Sequence, residues 1–198
     1  MKCYLIRHGA TKGNQEGRYV GSTDEPVLSE QLEKLIKLKS ILSPVDYVFT
    51  SPYLRCRQSA QEIFSGFITA PEVIWDFREI DFGEFEYKNY QELNGNIDYQ
   101  RFIDSGGTIA FPGGEEPEHF KIRCCYAFLS CVRKARDQGF TVLGFSLHGG
   151  TIMAVMEALG IPSKDYFAYQ VKNGGGYEAE VVWEPRLQLL TKTTISIL

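Results

Sequence analysis

Short apolar runs alternate with amphipathic segments along most of this chain, and this alternation is the strongest limit on its fold. The strand-like runs, each bounded by polar or turn-forming residues, are KCYLI, VDYVFT, EVIW and TVLGFS. The helix-like segments between and after them are SEQLEKLIKLKSIL, SPYLRCRQSAQEIF and GTIMAVMEALG. Strands that alternate with helices are typical of α/β proteins. We therefore expect a three-layer α/β/α sandwich with a mostly parallel sheet.

The ends of these elements carry recognisable boundary residues. Ser29 is expected to cap the first helix, and Gly160 is expected to end the third. The last two apolar runs, GYEAEVVWE and RLQLLT, predict an antiparallel pair of strands that closes the chain.

Residues 81–123 interrupt this rhythm with a stretch rich in tyrosine, phenylalanine, asparagine and glycine. We interpret the stretch as a small cap-like excursion over the sheet, within a single domain that spans residues 1–198. A chain of this length can bury a substantial core.

Composition excludes several classes of partner. The net charge of −4 gives no general attraction for nucleic acid or an anionic membrane. The apolar segment of MKCYLIRHGAT is too short for a signal peptide, and no stretch reaches the length of a membrane span. We therefore expect a cytoplasmic protein, either a monomer or a homodimer. The five cysteines lack CxxC spacing, which predicts reduced thiols rather than disulfides or a zinc site.

Unusual polar residues follow the predicted strands. Arg7-His8 follows the first strand, Arg55 lies one turn into the helix after the second, and His148 follows the fourth. In open α/β sheets, ligands bind beyond the carboxyl ends of the strands. We therefore expect these arginines and histidines to meet at one edge of the sheet.

Neighbouring residues at this edge suit an anion. Gly149 opens the helix after the fourth strand, where backbone N–H groups and the positive end of the helix dipole favour negative charge. Thr11 and Asn14 add polar groups to the loop after the first strand. Arg57 is two positions from Arg55, so the two point to different faces of their helix, and only one is expected to reach the site.

Two arginines, two histidines and a helix N-terminus form a receptor for a phosphoryl group. The planar fork of arginine matches phosphate oxygens, and neutral imidazole is a competent nucleophile near neutral pH. Phosphoryl transfer mainly needs positioning and stabilisation of the charge on the equatorial oxygens. The set can supply both, so we expect no metal and no other cofactor.

The leaving oxygen also needs a proton donor. Candidates crowd the segment WDFREIDFGEFE and are Asp76, Glu79, Asp81, Glu84 and Glu86. The residues alone do not select one of these acids.

Four segments resemble motifs of the histidine phosphatase (phosphoglycerate-mutase-like) superfamily, in the same order and at roughly the same spacing. They are RHGATKGN, TSPYLRCRQSA, REIDFGEFE and SLHGG. The resemblance covers nearly the whole chain. The region from FGEFEYKNYQEL to FPGGEE is most similar to small bacterial α-ribazole phosphatases and to the broad-specificity phosphatases close to them.

The resemblance implies a role for each residue at the strand ends. His8 would take the phosphoryl group as a phosphohistidine. Arg7, Arg55 and His148 would hold the phosphoryl oxygens, with Asn14 helping.

The resemblance also selects among the acids. Glu79, two residues before the sequence DFG, matches the general acid that protonates the leaving oxygen and then activates water. Glu115 matches a motif position near the cap that would touch substrate. Tyr87 replaces a glycine that is common in the family; it would place a large ring near the cap and is a candidate for substrate binding.

The implied activity is a metal-independent phosphomonoesterase that acts on a small phosphorylated metabolite, with α-ribazole 5'-phosphate as the candidate. One alternative is a phosphoglycerate mutase, although superfamily mutases are longer in the cap region. Another is a non-catalytic module that binds phosphorylated ligands, but such a module is expected to lose the nucleophile or the acid. A nucleic-acid binder would need a basic patch, which the sequence lacks.

Overall fold

The computed structural model describes residues 1–67 and 70–196. In chain order, its strands and helices are β1 (Lys2–Arg7), α1 (Lys12–Gln15), α2 (Ser29–Ile36), β2 (Tyr47–Thr50), α3 (Leu54–Phe64), β3 (Glu72–Val73), α4 (Ile97–Asp104), α5 (Pro117–Asp137), β4 (Val142–Leu147), α6 (Gly149–Leu159), β5 (Gly160–Ile161), β6 (Gly176–Val182) and β7 (Gln188–Ile195). Short 3₁₀ helices lie at Lys37–Ser40, Trp75–Phe77, Gly83–Phe85 and Tyr166–Tyr169. Within these described ranges, no helix combines the length and apolar character that crossing a membrane requires.

The strands form one mostly parallel sheet in the order β3-β2-β4-β1-β6-β7-β5. Strands β1 to β4 run parallel to their neighbours in this group, whereas β6 runs antiparallel to β1 and β7 antiparallel to β6. The predicted antiparallel pair at the end of the chain is therefore confirmed. Arg7, the last residue of β1, pairs with Leu147, the last residue of β4. His8 and His148 therefore directly follow the ends of two adjacent parallel strands.

Helices cover both faces of the sheet, as the predicted three-layer sandwich requires. Successive strand residues point to opposite faces, and the two faces bury different neighbours. The face covered by α5 and α6 includes the packed side chains of Leu5, Phe145, Phe128 and Val155. The face covered by α2 and α3 includes those of Tyr4, Val48, Leu35 and Ile63.

The first predicted helix and the third predicted strand need correction. Helix α2 has Leu28 at its N-cap with no side-chain cap, so Ser29 is its first residue and not the predicted cap. The predicted strand EVIW is reduced to Glu72–Val73, because Val73 pairs with Thr50, where β2 ends. Among the residues that the structure describes, no partner strand extends beyond that point. The chain turns there into the 3₁₀ helix that begins at Trp75.

The last part of the predicted excursion is helical. Residues 117–123, inside the predicted range 81–123, form the first two turns of α5, a 21-residue helix with proline in its first turn. The rest of the excursion packs around its own small core of Phe85, Leu93 and Phe111.

Candidate active site

The two histidines at the ends of β1 and β4 lie against each other. The ring centroids of His8 and His148 are 5.1 Å apart, and the ring planes are at 69°. Both side chains are buried. The strand register alone produces this meeting, because β1 and β4 are parallel neighbours that end at the same level.

The ring of His8 is held in one tautomer. Its Nδ1 lies 2.8 Å from the carbonyl oxygen of Gly9, and a carbonyl oxygen only accepts hydrogen bonds, so Nδ1 carries the proton. The lone pair is therefore on Nε2. Burial, and then the positive charges of Arg55 and Arg7, lower the pKa of His8 well below its ordinary value. The imidazole is neutral and able to act as a nucleophile.

His148 is fixed between two polar partners. Its Nδ1 accepts a hydrogen bond of 3.3 Å from Nε of Arg55, and its Nε2 lies 2.7 Å from the hydroxyl oxygen of Ser51. Because Nδ1 accepts, Nε2 carries the proton and donates it to Ser51. Burial, followed by the charge of Arg55, lowers the pKa of His148 well below its ordinary value, so this ring is neutral as well.

Arg7 has a buried donor without a partner. Its Nη1 donates to the carbonyl oxygen of Val171 over 2.8 Å, whereas its buried Nε has no hydrogen-bond partner in the described part of the chain. The guanidinium lies close over Gly149, where an added Cβ would be 3.3 Å from the Cζ of Arg7. A buried donor left open at a helix N-terminus is suited to an anionic acceptor.

Arg55 is fully buried and organises the loop before it. Besides its bond to His148, it donates from Nη1 to the carbonyl oxygen of Thr23 over 2.7 Å and from Nη2 to that of Gly21 over 2.8 Å. Arg57 is exposed. Of these two arginines of α3, therefore, only Arg55 lies at the site, as predicted.

Glu79 is the acid that geometry places at the site. Its Oε2 accepts a hydrogen bond of 2.9 Å from the backbone N–H of Gly150, in the first turn of α6. Burial raises the pKa of Glu79 above its ordinary value, although the N–H donors of Gly150 and Ile80 and the charge of Arg55 pull it down. A Cβ at position 150 would overlap Glu79 Oε1, so glycine makes room for the carboxyl group.

A cavity of about 840 Å³ opens beside Arg7 and Glu79, whereas His8, Arg55 and His148 are not among its described lining residues. Its described lining includes Arg7, Asn14, Glu79, Gly149 and Gly150 at one end. Of the acids in WDFREIDFGEFE, Glu79 is the one among the lining residues. The structure thus distinguishes Glu79 on geometry, where the residue types alone did not.

Comparisons with known proteins identify the family of this chain. The family described as "Histidine phosphatase superfamily (branch 1)" has a sequence model that matches residues 3–186. That range spans most of the chain and includes both histidines, both arginines and the acid. The chain belongs to this superfamily. The resemblance stated from its four motifs is confirmed, and the chain is an enzyme of the phosphatase type.

Relatives of this histidine phosphatase carry more than one name. The adenosylcobalamin/alpha-ribazole phosphatase of Escherichia coli (strain K12) is 30% identical over 185 residues, which cover 88% of this chain and 87% of the relative. The solved alpha-ribazole phosphatase of Shigella flexneri has a TM-score of 0.83 at 21% identity, covering 99% of this chain and 96% of that one. The solved phosphoglycerate mutase of Thermus thermophilus has a TM-score of 0.74 at 28% identity, with both chains covered completely.

Thr11 and Asn14 form a reciprocal cap in this histidine phosphatase. The hydroxyl of Thr11 accepts from the N–H of Asn14, and the side-chain oxygen of Asn14 accepts from the N–H of Thr11. Thr11 is buried and does not line the described cavity, whereas Asn14 does. Asn14 is also bound by Nδ2 of Asn173 over 3.0 Å.

Tyr87 and Glu115 lie outside the described lining of the cavity. The hydroxyl of Tyr87 donates to Oε2 of Glu25 over 3.0 Å. The carboxylate of Glu115 is bound through both oxygens by Arg123, at 2.6 and 2.7 Å. Neither residue is brought together with the histidines and Glu79.

Sequence reasoning did not identify Arg123, which organises the loop that carries the acid. Its Nη1 donates to the carbonyl oxygens of Asp76 and Arg78 over 2.7 and 2.9 Å, and its Nη2 lies 3.3 Å from that of Glu79. Glu115 holds the guanidinium from its other side. The only local signal for Arg123 is an arginine followed by two cysteines, and this pattern is too weak to indicate a role. Asn173, in the stretch KNGGG, was also not identified; it donates to the carbonyl oxygen of His8 over 3.2 Å.

We expect Arg123→Lys to lower kcat/KM for alkyl phosphates by about tenfold or more, since a point charge cannot hold several carbonyl groups at once and small displacements of a catalytic group are costly. The loss should be smaller on 4-nitrophenyl phosphate, whose leaving group needs little protonation. Lys134→Gln is the matched control, because Lys134 lies on the same helix and pairs with Glu72 on the surface. Equal losses on both esters would contradict a role in positioning the acid.

Proposed function

We propose that this phosphatase hydrolyses small phosphomonoesters through a phosphohistidine formed on His8. The observation that carries the proposal is the fixed tautomer of His8, whose Nδ1–H is bound to the Gly9 carbonyl. That bond leaves the Nε2 lone pair free to attack phosphorus. The open Nε donor of Arg7 and the raised pKa of Glu79 supply the two other functions that the reaction needs.

In the first step, Nε2 of His8 attacks phosphorus and the bond from phosphorus to the ester oxygen breaks. Glu79 gives its proton to that oxygen, and the substrate leaves as an alcohol. Arg7, Arg55 and His148 hold the equatorial oxygens, where negative charge accumulates. For this contact the Nε2–H of His148 turns from Ser51, its partner in this structure, to a phosphoryl oxygen. The Nδ1–H of His8 stays on the Gly9 carbonyl, so the phosphorylated ring keeps its orientation.

In the second step, the Glu79 carboxylate takes a proton from water as the water oxygen attacks phosphorus. The bond from phosphorus to Nε2 breaks, phosphate leaves, and His8 returns to its neutral state. Glu79 ends the cycle protonated, as it began. One carboxyl group thus acts first as acid and then as base.

The proposed substrate contacts come from the residues at the cavity end. Asn14 and the backbone N–H of Gly149 contact the phosphoryl oxygens, and Thr11 supports them by holding Asn14 in place. Tyr87 and Glu115 are not part of this set, since each has another partner in the described structure.

The proposed substrate is α-ribazole 5'-phosphate. Two observations support it: a curated relative that covers most of the chain is named for this substrate, and the cavity has room for a bulky alcohol portion.

The five free cysteines are in keeping with a reducing compartment such as the cytoplasm.

Phosphate release from a panel of esters tests this proposal. The panel contains α-ribazole 5'-phosphate, glucose 6-phosphate, AMP and 3-phosphoglycerate, each with excess EDTA. We expect a clear preference for α-ribazole 5'-phosphate. Even, slow release from all four would contradict that substrate and leave the chemistry standing. Conversion of 3-phosphoglycerate to its isomer without phosphate release would indicate a mutase, and binding without turnover would indicate a recognition module.

A further inference from the structure

The cationic groups in the described lining of the cavity are Arg7, Arg18 and Lys121. Arg7 lies at the phosphate end. Arg18 and Lys121 are the lining cations left for any second anionic group on a substrate. Whether they are free to bind one decides which class of phosphomonoester fits the cavity.

Arg18 is already bound by two carboxylates of this chain, which compete with any ligand carboxylate. Glu16 binds its Nε, and Glu92 binds Nη1 and Nη2 at 2.8 and 3.1 Å. Nη1 also donates to the carbonyl oxygen of Tyr87 over 2.6 Å. These two carboxylates already satisfy most of the donors of Arg18, so it offers little to a second anionic group.

Lys121 is neutralised in a similar way. Its Nζ lies 2.8 Å from Oε2 of Glu157 and 4.7 Å from the ring centroid of Tyr166. Glu118 and Asp165 also line the cavity, and neither forms an ion pair within the described residues. Besides Arg7 and Glu79, acids therefore outnumber cations among the described lining residues.

The remaining walls are apolar and largely aromatic. The aromatic side chains that line the described cavity are Tyr19, Phe82, Phe102, Phe111, Phe120, Tyr166 and Phe167. Such a surface gains by covering an apolar or aromatic group. It offers little to a carboxylate, which would lose its hydration without gaining a partner.

We propose that the cavity selects phosphomonoesters of bulky, apolar alcohols without a second anionic group, and that it rejects esters carrying a carboxylate or second phosphate. This inference rests on the proposed function, because it concerns the alcohol portion of the same substrate. The phosphate end attracts one anion through Arg7. The lining acids Glu118, Glu157 and Asp165 repel another. Placing like charges together is an established way to exclude a wrong partner.

Three aryl esters of closely similar shape test the inference: phenyl phosphate, 4-carbamoylphenyl phosphate and 4-carboxyphenyl phosphate. The carbamoyl and carboxylate esters differ mainly in charge. We expect kcat/KM for the carboxylate to be lower than for the carbamoyl ester by about tenfold, mostly through KM, with the gap narrowing at high salt. Equal or higher kcat/KM for the carboxylate would overturn the inference. Failure of all three esters to turn over would contradict the proposed function itself.

The variant Glu157→Gln assigns the effect to the cavity. It removes one acid and frees Lys121, so the carbamoyl-to-carboxylate ratio of kcat/KM should narrow by about threefold or more. The ratio of the two kcat/KM values is the quantity to measure, because a general loss of activity lowers both values equally and leaves their ratio unchanged. Glu180→Gln is the matched control: Glu180 pairs with Lys192 on the sheet and does not line the cavity. A ratio unchanged in Glu157→Gln, or narrowed equally in Glu180→Gln, would contradict the assignment.

Discussion

Replacing His8 with alanine should lower kcat/KM for every phosphomonoester by at least about a thousandfold, as expected when a nucleophile is removed from a group that acts as a unit. No other side chain can take its place, because the nearby imidazole of His148 is held by Arg55 and Ser51 through both of its nitrogens. Phosphate release measures the loss. A phosphoryl label on the protein, stable in base and released by acid, should form in the parent and be absent from the variant.

Two further variants make this result specific. His8→Asn keeps a side-chain donor for the Gly9 carbonyl, so it should fold like the parent and still fail to turn over. His119→Ala changes the remaining histidine, which is exposed on α5, and should retain parental activity. Substantial phosphate release by either His8 variant would contradict the phosphohistidine route.

The meeting of the two histidines could be predicted from the sequence for a simple physical reason. Parallel strands end at the same edge of a sheet, and both histidines directly follow strands with clear apolar patterns. The register Arg7 to Leu147 then brings them side by side. Local pattern was sufficient to predict a shared edge of the sheet, whereas the direct pairing of β1 with β4, which are far apart in the chain, is seen only in the structure.

Other features depend on contacts that a sequence does not show. Helix α5 was not predicted, because cysteines and alanines occupy many of its buried positions and weaken the periodic apolar pattern in the sequence. Glu115 was assigned to substrate from its motif. Its partner Arg123 lies eight residues on in that unpredicted helix, so the ion pair could not be anticipated. The residue types alone did not separate Glu79 from its acidic neighbours; the motif resemblance selected it, and the bond from Gly150, far away in the chain, gives the physical reason.

Glu79→Gln should separate substrates by their leaving groups. For alkyl phosphates we expect kcat/KM to fall by about 10²- to 10⁴-fold, the usual contribution of a general acid. For 4-nitrophenyl phosphate we expect a loss of about tenfold or less, because that leaving group departs without a proton. The amide oxygen of Gln can still accept from Gly150, so the segment should keep its position. Glu84→Gln, an exposed neighbour, is the matched control and should behave like the parent on both esters.

The pH dependence of Glu79→Gln gives a second, independent readout. Glu79 must be protonated in the first step, so kcat/KM of the parent should fall as pH rises through the pKa of Glu79. Burial raises that pKa, which moves the fall toward higher pH. His8 must be neutral, and its lowered pKa keeps it so at acidic pH. Glutamine does not titrate, so the variant should lose the fall at high pH and keep any fall at low pH. An unchanged alkaline limb, together with equal losses on both esters, would show that another group supplies the proton.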